Sequence, residues 1–388
     1  MPDFFQFHQP TKVIAGAGLA TDFGHELAEL GISRPVIVCD PIVRKLGVVD
    51  RIIAGLAETG ITVGAVFSDV PPNSELAVVR QVAALFAQVG GDSLIAIGGG
   101  STMDTAKVAN ILITETGDIS DYVGAELLTQ PLKPLICIPT TAGTGSEVTR
   151  VAVILDEATQ TKISFSDRFL LPTLAVLDPE LTVTMPPQVT AATGMDALTH
   201  AMEAFISPQA SPFSDALAFG TMQLIQRSLL TAVYEPHNLA ARADMLTAAC
   251  MAGTAFTHAM VGVVHAMSHT VGGLYHVAHG VANAILLPHG LRYNLEVCTA
   301  KIGQMAHAFG VPAGETERES ADRVIAHIDS LKAALHTACG LPMRLSQAGV
   351  PESGLPAVAA GAMMDGASFY NPRPMDEESI LMTLQVAF

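Results

Sequence analysis

The segment SLIAIGGGSTMDTAK, residues 93–107, says more about the architecture of this chain than any other. Its first residues are apolar without alternation, which is typical of a strand that is buried on both faces of a parallel sheet. Three glycines and Ser101 follow, and a helical pattern begins near Thr102. Glycines let the backbone approach a pyrophosphate, and the free N–H groups and dipole of a helix start favour negative charge. The segment therefore predicts a nucleotide-binding turn, although a tight turn without a ligand is the alternative.

Short apolar runs of the same kind occur on both sides of this segment, up to about residue 180. The stretches between them, such as LATDFGHELAEL (19–30) and ELAVVRQVAALFAQVG (75–90), have apolar residues at three- and four-residue spacing and predict crossover helices. Together they predict a doubly wound α/β domain with a largely parallel sheet. The further strand-like runs are KVIAGAG (12–18), PVIVCD (35–40), ITVGAVFSDV (61–70), PLICIPTT (134–141) and LAVLDP (174–179).

The pattern changes after Pro186 and Pro187, where strand-like runs stop and long helical stretches rich in Ala, Leu and Met continue to the C-terminus. A chain of 388 residues has the length of two domains. We therefore expect an α/β domain over residues 1–183 and an all-helical domain over residues 184–388.

The composition narrows the possible partners. Thirty-seven acidic against 20 basic residues give a net charge of −17, which argues against binding to nucleic acid. No apolar stretch approaches the roughly 20 residues that span a bilayer, and the N-terminus lacks the pattern of a signal peptide. Five scattered cysteines fit a reducing compartment. These features predict a cytoplasmic protein with no membrane partner.

A second strand end of the α/β half is rich in glycine and hydroxyl groups. PLICIPTT runs into TTAGTGSE, so Thr140, Thr141 and Thr144 lie beside two glycines. Two such strand ends in one sheet predict a ligand crevice at the carboxyl edge, and a dinucleotide is the expected occupant. Asp40 ends the strand PVIVCD, where a carboxylate would accept from the adenosine ribose and repel a 2′-phosphate. This favours NAD over NADP, and a turn residue before Pro41 is the alternative reading of Asp40.

Two segments of the helical half carry metal-ligand chemistry. GMDALTHAMEAF (194–205) is helical, so Asp196 and His200 project from one face. In VVHAMSHTVGGLYHVAHGVANAILLPHG (263–290), five histidines stand among apolar and small residues, and Gly272 with Gly273 should break or bend a helix. A carboxylate with imidazoles suits Fe(II), Zn(II) or a similar ion. Spacing alone does not choose among the histidines, which are His265, His269, His276, His279 and His289.

The chain resembles the iron-containing (group III) alcohol dehydrogenase family almost from end to end. The resemblance lies in GGGSTMDTAK, PTTAGTGSEVT, LDPELT, PPQVTAATGMDALTHAMEAF, HAMSHTVGGLYHVAHGVANAILLPH and NPRP. It implies a metal site of Asp196, His200, His265 and His279, with His269 as a proton-relay or positioning group. His276 stands where the family usually has another residue, and we interpret it as a histidine beside the site.

The resemblance also implies the residues that bind the cofactor and the substrate. Phe256 would form a wall of the substrate pocket, and Val151 and Thr149 are further candidates. The implied contacts to NAD are Asp40, Asn73, Gly99, Gly100, Ser101, Thr140, Thr141, Thr144 and Lys162.

The activity implied by the resemblance is hydride transfer between a small primary alcohol or diol and NAD, in which Fe(II) or Zn(II) acts as a Lewis acid on the alcohol oxygen. A homo-oligomer, a dimer or larger, is also implied. Within the same fold, a hydroxyacid-oxoacid transhydrogenase and a maleylacetate reductase remain alternatives. A nucleotide-binding scaffold without activity is the alternative from another class, but it would have no reason to keep both the metal ligands and the glycine-rich turns.

Overall fold

A computed structural model describes residues 4–158 and 161–388 of the chain. These residues form two compact units: residues 8–183 make one, and residues 184–388 with the N-terminal residues 4–7 make the other.

The first unit is built on a six-stranded sheet in which all strands run parallel, in the order β1-β9-β6-β4-β2-β3. The order in which the chain adds strands reverses between β2 and β4. Strand β3 is added on one side of β2, and β4, β6 and β9 are added on its other side. Open α/β sheets bind ligands at such a point, beyond the carboxyl ends of the strands. The strands are β1 (Lys12–Ala15), β2 (Pro35–Cys39), β3 (Ala65–Phe67), β4 (Ser93–Gly98), β5 (Gly124–Ala125), β6 (Leu135–Pro139), β7 (Val151–Asp156), β8 (Thr161–Ser166) and β9 (Leu174–Leu177).

The central strands are buried on both faces, as their unbroken apolar runs predict. Leu94 and Ala96 of β4 pack into the core on one face of the sheet, whereas Ile95 and Ile97 pack into the core on the other. This alternation is the two-residue period of a strand. The helices of this unit are α1 (Gly24–Glu29), α2 (Pro41–Lys45), α3 (Val48–Glu58), α4 (Leu76–Val89) and α5 (Gly100–Thr114).

The predicted doubly wound sheet is confirmed, with two local differences. The stretch 19–30 forms a short 3₁₀ turn (Leu19–Thr21) before α1 rather than one helix. An antiparallel hairpin of β7 and β8, which extends through β5 into a small second sheet, was not predicted. The sequence between β7 and β8, EATQ (157–160), contains no Asn-Gly, Asp-Gly or other glycine turn that would have revealed a hairpin.

Within residues 184–388, which the structure describes in full, the regular elements are all helices, as predicted. Gly272 and Gly273, which we expected to break or bend a helix, lie inside α9, and the helix continues to Tyr275. The helices are α6 (Pro187–Ile206), α7 (Pro212–Tyr234), α8 (Leu239–Ala259), α9 (Val263–Tyr275), α10 (His279–Gln304), α11 (Ala306–Phe309), α12 (Glu317–Cys339), α13 (Leu355–Met364) and α14 (Glu377–Ala387).

None of the helices in the described part of the chain is long and apolar enough to cross a membrane alone. Helices α8 and α9 reach that length and composition only together, and they are bent by 106° where they meet.

Candidate metal centre and nucleotide-binding segments

Helix α6 places a carboxylate and an imidazole side by side in the interior of the helical unit. Asp196 and His200 are one helical turn apart, and Nε2 of His200 lies 4.0 Å from Oδ1 of Asp196. Both residues are buried, with exposures of 2% and 5%. Burial of two such groups is costly unless a charge or a hydrogen bond satisfies them.

Helices α9 and α10 complete the cluster. His265 lies in the first turn of α9 and His279 is the first residue of α10, where its Nε2 lies 3.5 Å from Oδ1 of Asp196. Gly280 allows α10 to approach α6 closely, because a Cβ built there would lie 2.3 Å from the carbonyl oxygen of Ala192. One ligand atom from each of Asp196, His200, His265 and His279 lies within 4.8 Å of the other three.

Glu203 orients one of these imidazoles. His265 Nδ1 lies 2.6 Å from Oε2 of Glu203, and the backbone N–H of Val264 donates to Oε1 of the same carboxylate at 2.7 Å. Burial lowers the pKa of His265 well below 6.5, so the ring is neutral and carries one proton. With that proton on Nδ1 and donated to Glu203, Nε2 presents its lone pair to the cluster. A carboxylate behind a metal-binding histidine is a recurrent arrangement that fixes the tautomer.

Asn283 contacts three of the four predicted ligands. Its Nδ2 donates to Oδ1 of Asp196 at 2.7 Å and lies 3.2 Å from Nε2 of both His265 and His279. Burial alone would raise the pKa of Asp196, but the three imidazoles and the Asn283 amide lower it below its usual value. The carboxylate therefore stays ionised inside the protein.

The donor chemistry of the cluster fits a divalent cation. Two donors about 2.1 Å from a shared ion are at most about 4.2 Å apart. The distances from Asp196 Oδ1 to Nε2 of His279 and of His200, 3.5 and 4.0 Å, are below this value, and the full set of four donors lies within 4.8 Å. One carboxylate and three imidazoles give an O/N set that suits Fe(II) or Zn(II) and contains no thiolate.

His269 lies at the accessible edge of the cluster. Its Nδ1 donates to Oδ2 of Asp365 at 2.9 Å, and its ring stacks on that of His279 with centroids 5.2 Å apart. The side chain is 42% exposed, whereas that of His265 is 2% exposed. His269 is therefore open to solvent and lies outside the group of four potential ligands.

Phe256 lies against the opposite part of the cluster. Its ring stacks on the imidazole of His200 with centroids 4.3 Å apart and an angle of 19° between the planes. A phenyl ring in this position gives the neighbourhood of the four ligands an apolar surface.

The two other histidines of the segment 263–290 do not join the cluster. His276 follows the last residue of α9 in a left-handed conformation, with φ of 56°. His289 lies farther along α10, where burial lowers its pKa to about 4. The structure thus selects His265 and His279 from five histidines that spacing could not separate.

In the α/β unit, the two glycine-rich strand ends lie next to each other. Strands β4 and β6 are neighbours, and the N–H of Thr140 donates to the carbonyl of Gly98 at 3.0 Å. A Cβ added to Gly100 would lie 3.0 Å from Cγ2 of Thr144, so a side chain at this position would be crowded against Thr144. Gly99 lies similarly close to Thr141. The predicted cofactor residues of both segments therefore form one surface.

Two further predicted cofactor residues border this surface. Asn73 belongs to a loop that is tied to the start of α5, because Ser101 Oγ donates to the carbonyl of Pro72 and Ser74 Oγ donates to that of Ser101. Asp40 follows β2, the strand next to β4, at the point where the chain reverses across the sheet. Its Oδ1 also accepts from the N–H groups of Ile42 and Val43 and caps α2.

The remaining predicted residues of this unit lie on or before the β7–β8 hairpin. Lys162 is an exposed residue of β8. Val151 is half-buried at the start of β7. Thr149 is 3% exposed, and its hydroxyl accepts a hydrogen bond from Lys107. Its hydroxyl is thus engaged inside the unit.

Sequence reasoning missed three residues that support the centre. Glu203 stands seven residues after Asp196 and Asn283 four after His279, so helical spacing could have placed both on the ligand faces. Asp365 is 96 residues from its partner His269, and nothing local in the sequence signals that contact.

Comparison with known proteins identifies the family. The model of the iron-containing alcohol dehydrogenase family matches residues 10–179, and that of the C-terminal part of the Fe-containing alcohol dehydrogenase family matches residues 190–388. A 1,3-propanediol dehydrogenase from Klebsiella pneumoniae is 40% identical over 387 residues, which cover 99% of each chain. An NAD-dependent methanol dehydrogenase from Bacillus methanolicus is 35% identical over 98% of this chain and 99% of its own.

The fold agrees with a solved member. The crystal structure of a 1,3-propanediol oxidoreductase superposes with a TM-score of 0.96 at 40% identity and covers 99% of this chain and 100% of that one. Matched from end to end in sequence and in fold, this chain belongs to the iron-containing alcohol dehydrogenase family.

Proposed function

We propose that the chain is an iron-dependent, NAD-linked alcohol dehydrogenase that interconverts a small primary alcohol or diol and its aldehyde. The observation that supports this most is the convergence of Asp196, His200, His265 and His279, which lie on three helices and have their ligand atoms within 4.8 Å of one another; the first three are buried and His279 is partly exposed. Fe(II) is the proposed ion, and Zn(II) is the alternative that the same donors accept.

When bound, the ion would supply Lewis acidity toward an alcohol oxygen, and NAD would accept the hydride. The four ligands fix the position of the ion, and Glu203 fixes the orientation of His265. His269 is the proposed group that takes up or passes on the hydroxyl proton. Its 42% exposure connects it to solvent, and the hydrogen bond from Nδ1 to Asp365 leaves Nε2 as the acceptor.

For the cofactor, we propose binding along the two adjacent strand ends of the α/β unit. Gly99, Gly100 and Ser101 at the start of α5 would hold the pyrophosphate, because the first N–H groups of a helix attract anions. Asp40 would accept from the adenosine ribose and exclude a 2′-phosphate. The proposed cofactor contacts also include Asn73, Thr140, Thr141, Thr144 and Lys162.

The proposed substrate is a short primary alcohol or a diol. The names of the two relatives, a 1,3-propanediol and a methanol dehydrogenase, support this size class. Phe256 would form an apolar wall beside His200. Val151 stays a predicted pocket residue, and Thr149 is a weaker candidate because its hydroxyl binds Lys107.

The proposal is tested by loading metal-free protein with Fe(II) or Zn(II) under anaerobic conditions and measuring NADH consumption with short aldehydes. We expect metal-dependent oxidation of free NADH with propanal and 3-hydroxypropanal. The Asp196→Ala variant, which lacks the carboxylate ligand, should be inactive, whereas an exposed control, Glu296→Gln, should match the wild type. NADH that stays unconsumed while a hydroxy acid and an oxo acid exchange hydride would indicate a transhydrogenase instead.

Two features of the assignment stay predictions of the sequence. One is the cytoplasmic location, and the other is assembly into a dimer or larger homo-oligomer.

A further inference from the structure

Lys107 is a fully buried cation in the α/β unit, far along α5 from the glycine turn. Its side chain is 0% exposed, and Nζ lies within hydrogen-bond distance of four oxygens. Burial lowers the pKa of this ammonium group, and the nearby Asp104 opposes that shift. A buried ammonium is tolerated only when its donors are satisfied. The four acceptors are Ser146 Oγ at 3.0 Å, Thr149 O at 2.8 Å, Thr149 Oγ1 at 3.0 Å and Val151 O at 3.0 Å.

All four acceptors belong to residues 146–151, which include the end of the connection after β6 and Val151, the first residue of β7. Asp104, nearly one turn before Lys107 on α5, contacts Ser146 of this stretch and Val153 of β7 through its two carboxylate oxygens. Its Oδ1 accepts from Ser146 Oγ at 2.9 Å, and its Oδ2 accepts from the N–H of Val153 at 3.0 Å. Ser146 is thus joined to both charged residues. The pair fastens this connection to α5 through side-chain and backbone atoms.

Helix α5 and residues 146–151, which these hydrogen bonds hold together, adjoin the two glycine-rich segments. Helix α5 begins at Gly100, and residues 146–151 directly continue the segment Thr140–Gly145. The two segments touch at Gly100 and Thr144, where a Cβ would have only 3.0 Å of space. Ser146 N also donates to Thr144 Oγ1 at 3.3 Å. A shift of residues 146–151 away from α5 would therefore change the spacing of Thr144 from the glycine turn.

We propose that Lys107 is a positioning residue for the dinucleotide, which sets the distance between the glycine turn and the Thr140–Thr144 segment. This inference rests on the proposed NAD-linked function. Lys107 itself would not touch the cofactor, because its ammonium group is enclosed by protein oxygens. It acts through Ser146 and Thr149 on the segment that does. A misplacement of binding groups by about 1 Å can cost on the order of a hundredfold in rate or affinity.

The test replaces Lys107 by methionine, which keeps the length of the side chain but removes the charge and the donors. The matched control is Lys133→Met, because Lys133 is exposed on the surface of the same unit. For each variant of the metal-loaded protein, NADH affinity is measured by fluorescence titration, bound metal by elemental analysis and Tm by calorimetry. We expect the Kd for NADH to rise at least about tenfold in Lys107→Met, with the KM for NAD rising more than kcat falls. The metal content should stay as in the wild type, because the ligands belong to the other unit.

A second variant keeps the test decisive if Lys107→Met does not fold. Ser146→Ala removes the hydroxyl that joins Lys107 and Asp104 but leaves both charges in place, and we expect the Kd for NADH to rise about threefold or more. If Lys107→Met folds and binds NADH with wild-type affinity, the positioning role is overturned and the proposed function stays intact. If Lys107→Met does not fold, wild-type NADH affinity of Ser146→Ala has the same meaning. A wild-type protein that binds no NADH would overturn both.

Discussion

Oε2 of Glu203 lies 2.6 Å from Nδ1 of His265, and both side chains are 2% exposed. This contact connects a carboxylate that binds no metal to an imidazole that faces the ligand cluster. It directs Nε2 of His265 toward the other three potential ligands and anchors the start of α9 to α6.

Glu203→Gln should weaken metal binding without removing a ligand. The amide would place an NH₂ group where an acceptor for Val264 N or His265 Nδ1 is needed, so the ring would lose its orientation. We expect the Kd of the metal to rise by about 10- to 100-fold, measured by competition with a chelator. Glu296→Gln on the exposed face of α10 is the control. Unchanged metal affinity would show that His265 is held by other contacts.

His269→Ala and His265→Ala should have opposite effects on metal and turnover. His269 lies outside the four ligands, so its loss should lower kcat by about a hundredfold or more and leave the bound metal nearly unchanged. His265→Ala, like His279→Ala, should lose the metal first. Metal content by elemental analysis, together with kcat at saturating NAD, checks both. If His269→Ala lost its metal, His269 would be a ligand or a structural support.

Asp365→Asn should act through His269. Asp365 accepts from Nδ1 of His269 at 2.9 Å, and its Oδ1 caps the 3₁₀ turn of Gly366–Tyr370 through Ala367 N. We expect a lower kcat in the single variant and little further loss when it is added to His269→Ala, because the two residues share one role. A double-mutant cycle of kcat, measured for the wild type, both single variants and the double variant, checks this expectation. Additive losses would show that the two residues act independently.

Asp40→Gly should relax the choice between NAD and NADP. Glycine at the N-cap of α2 costs only a few tenths of a kcal/mol in helix stability, so the protein should remain folded. Loss of the carboxylate removes both the ribose acceptor and the repulsion of a 2′-phosphate. We expect kcat/KM for NADP to rise about tenfold or more and that for NAD to fall. An unchanged preference would place the adenosine ribose elsewhere.

The features that the sequence predicts well are those that depend on local periodicity. Apolar runs such as 93–97 and 135–138 revealed the buried parallel strands, and the four-residue spacing of Asp196 and His200 placed both on one helical face. Glu203, three residues after His200, lies on the same helical face, yet a carboxylate on an apolar helix has no unique partner until the start of α9 is seen to contact it. The sequence did not predict the hairpin of β7 and β8, because the segment that connects the two strands lacks turn glycines. Asp365 escaped because its partner is 96 residues away.

Thr149 illustrates a different limit. Its neighbours in TTAGTGSEVT are typical of a cofactor-binding segment, but its hydroxyl is used by Lys107, which lies 42 residues earlier. Helical periodicity places Lys107 on α5, but only the packing of α5 against residues 146–151 explains why a lysine is buried there.

Asp196, His200, His265 and His279 are proposed to hold one divalent ion that alcohol oxidation requires. Exhaustive anaerobic chelation, followed by paired measurement of metal content and of NAD reduction with 1,3-propanediol, tests this proposal. We expect activity to fall in proportion to the lost metal and to return when about one Fe(II) or Zn(II) per chain is restored. Full-rate oxidation by protein that contains no metal would contradict it.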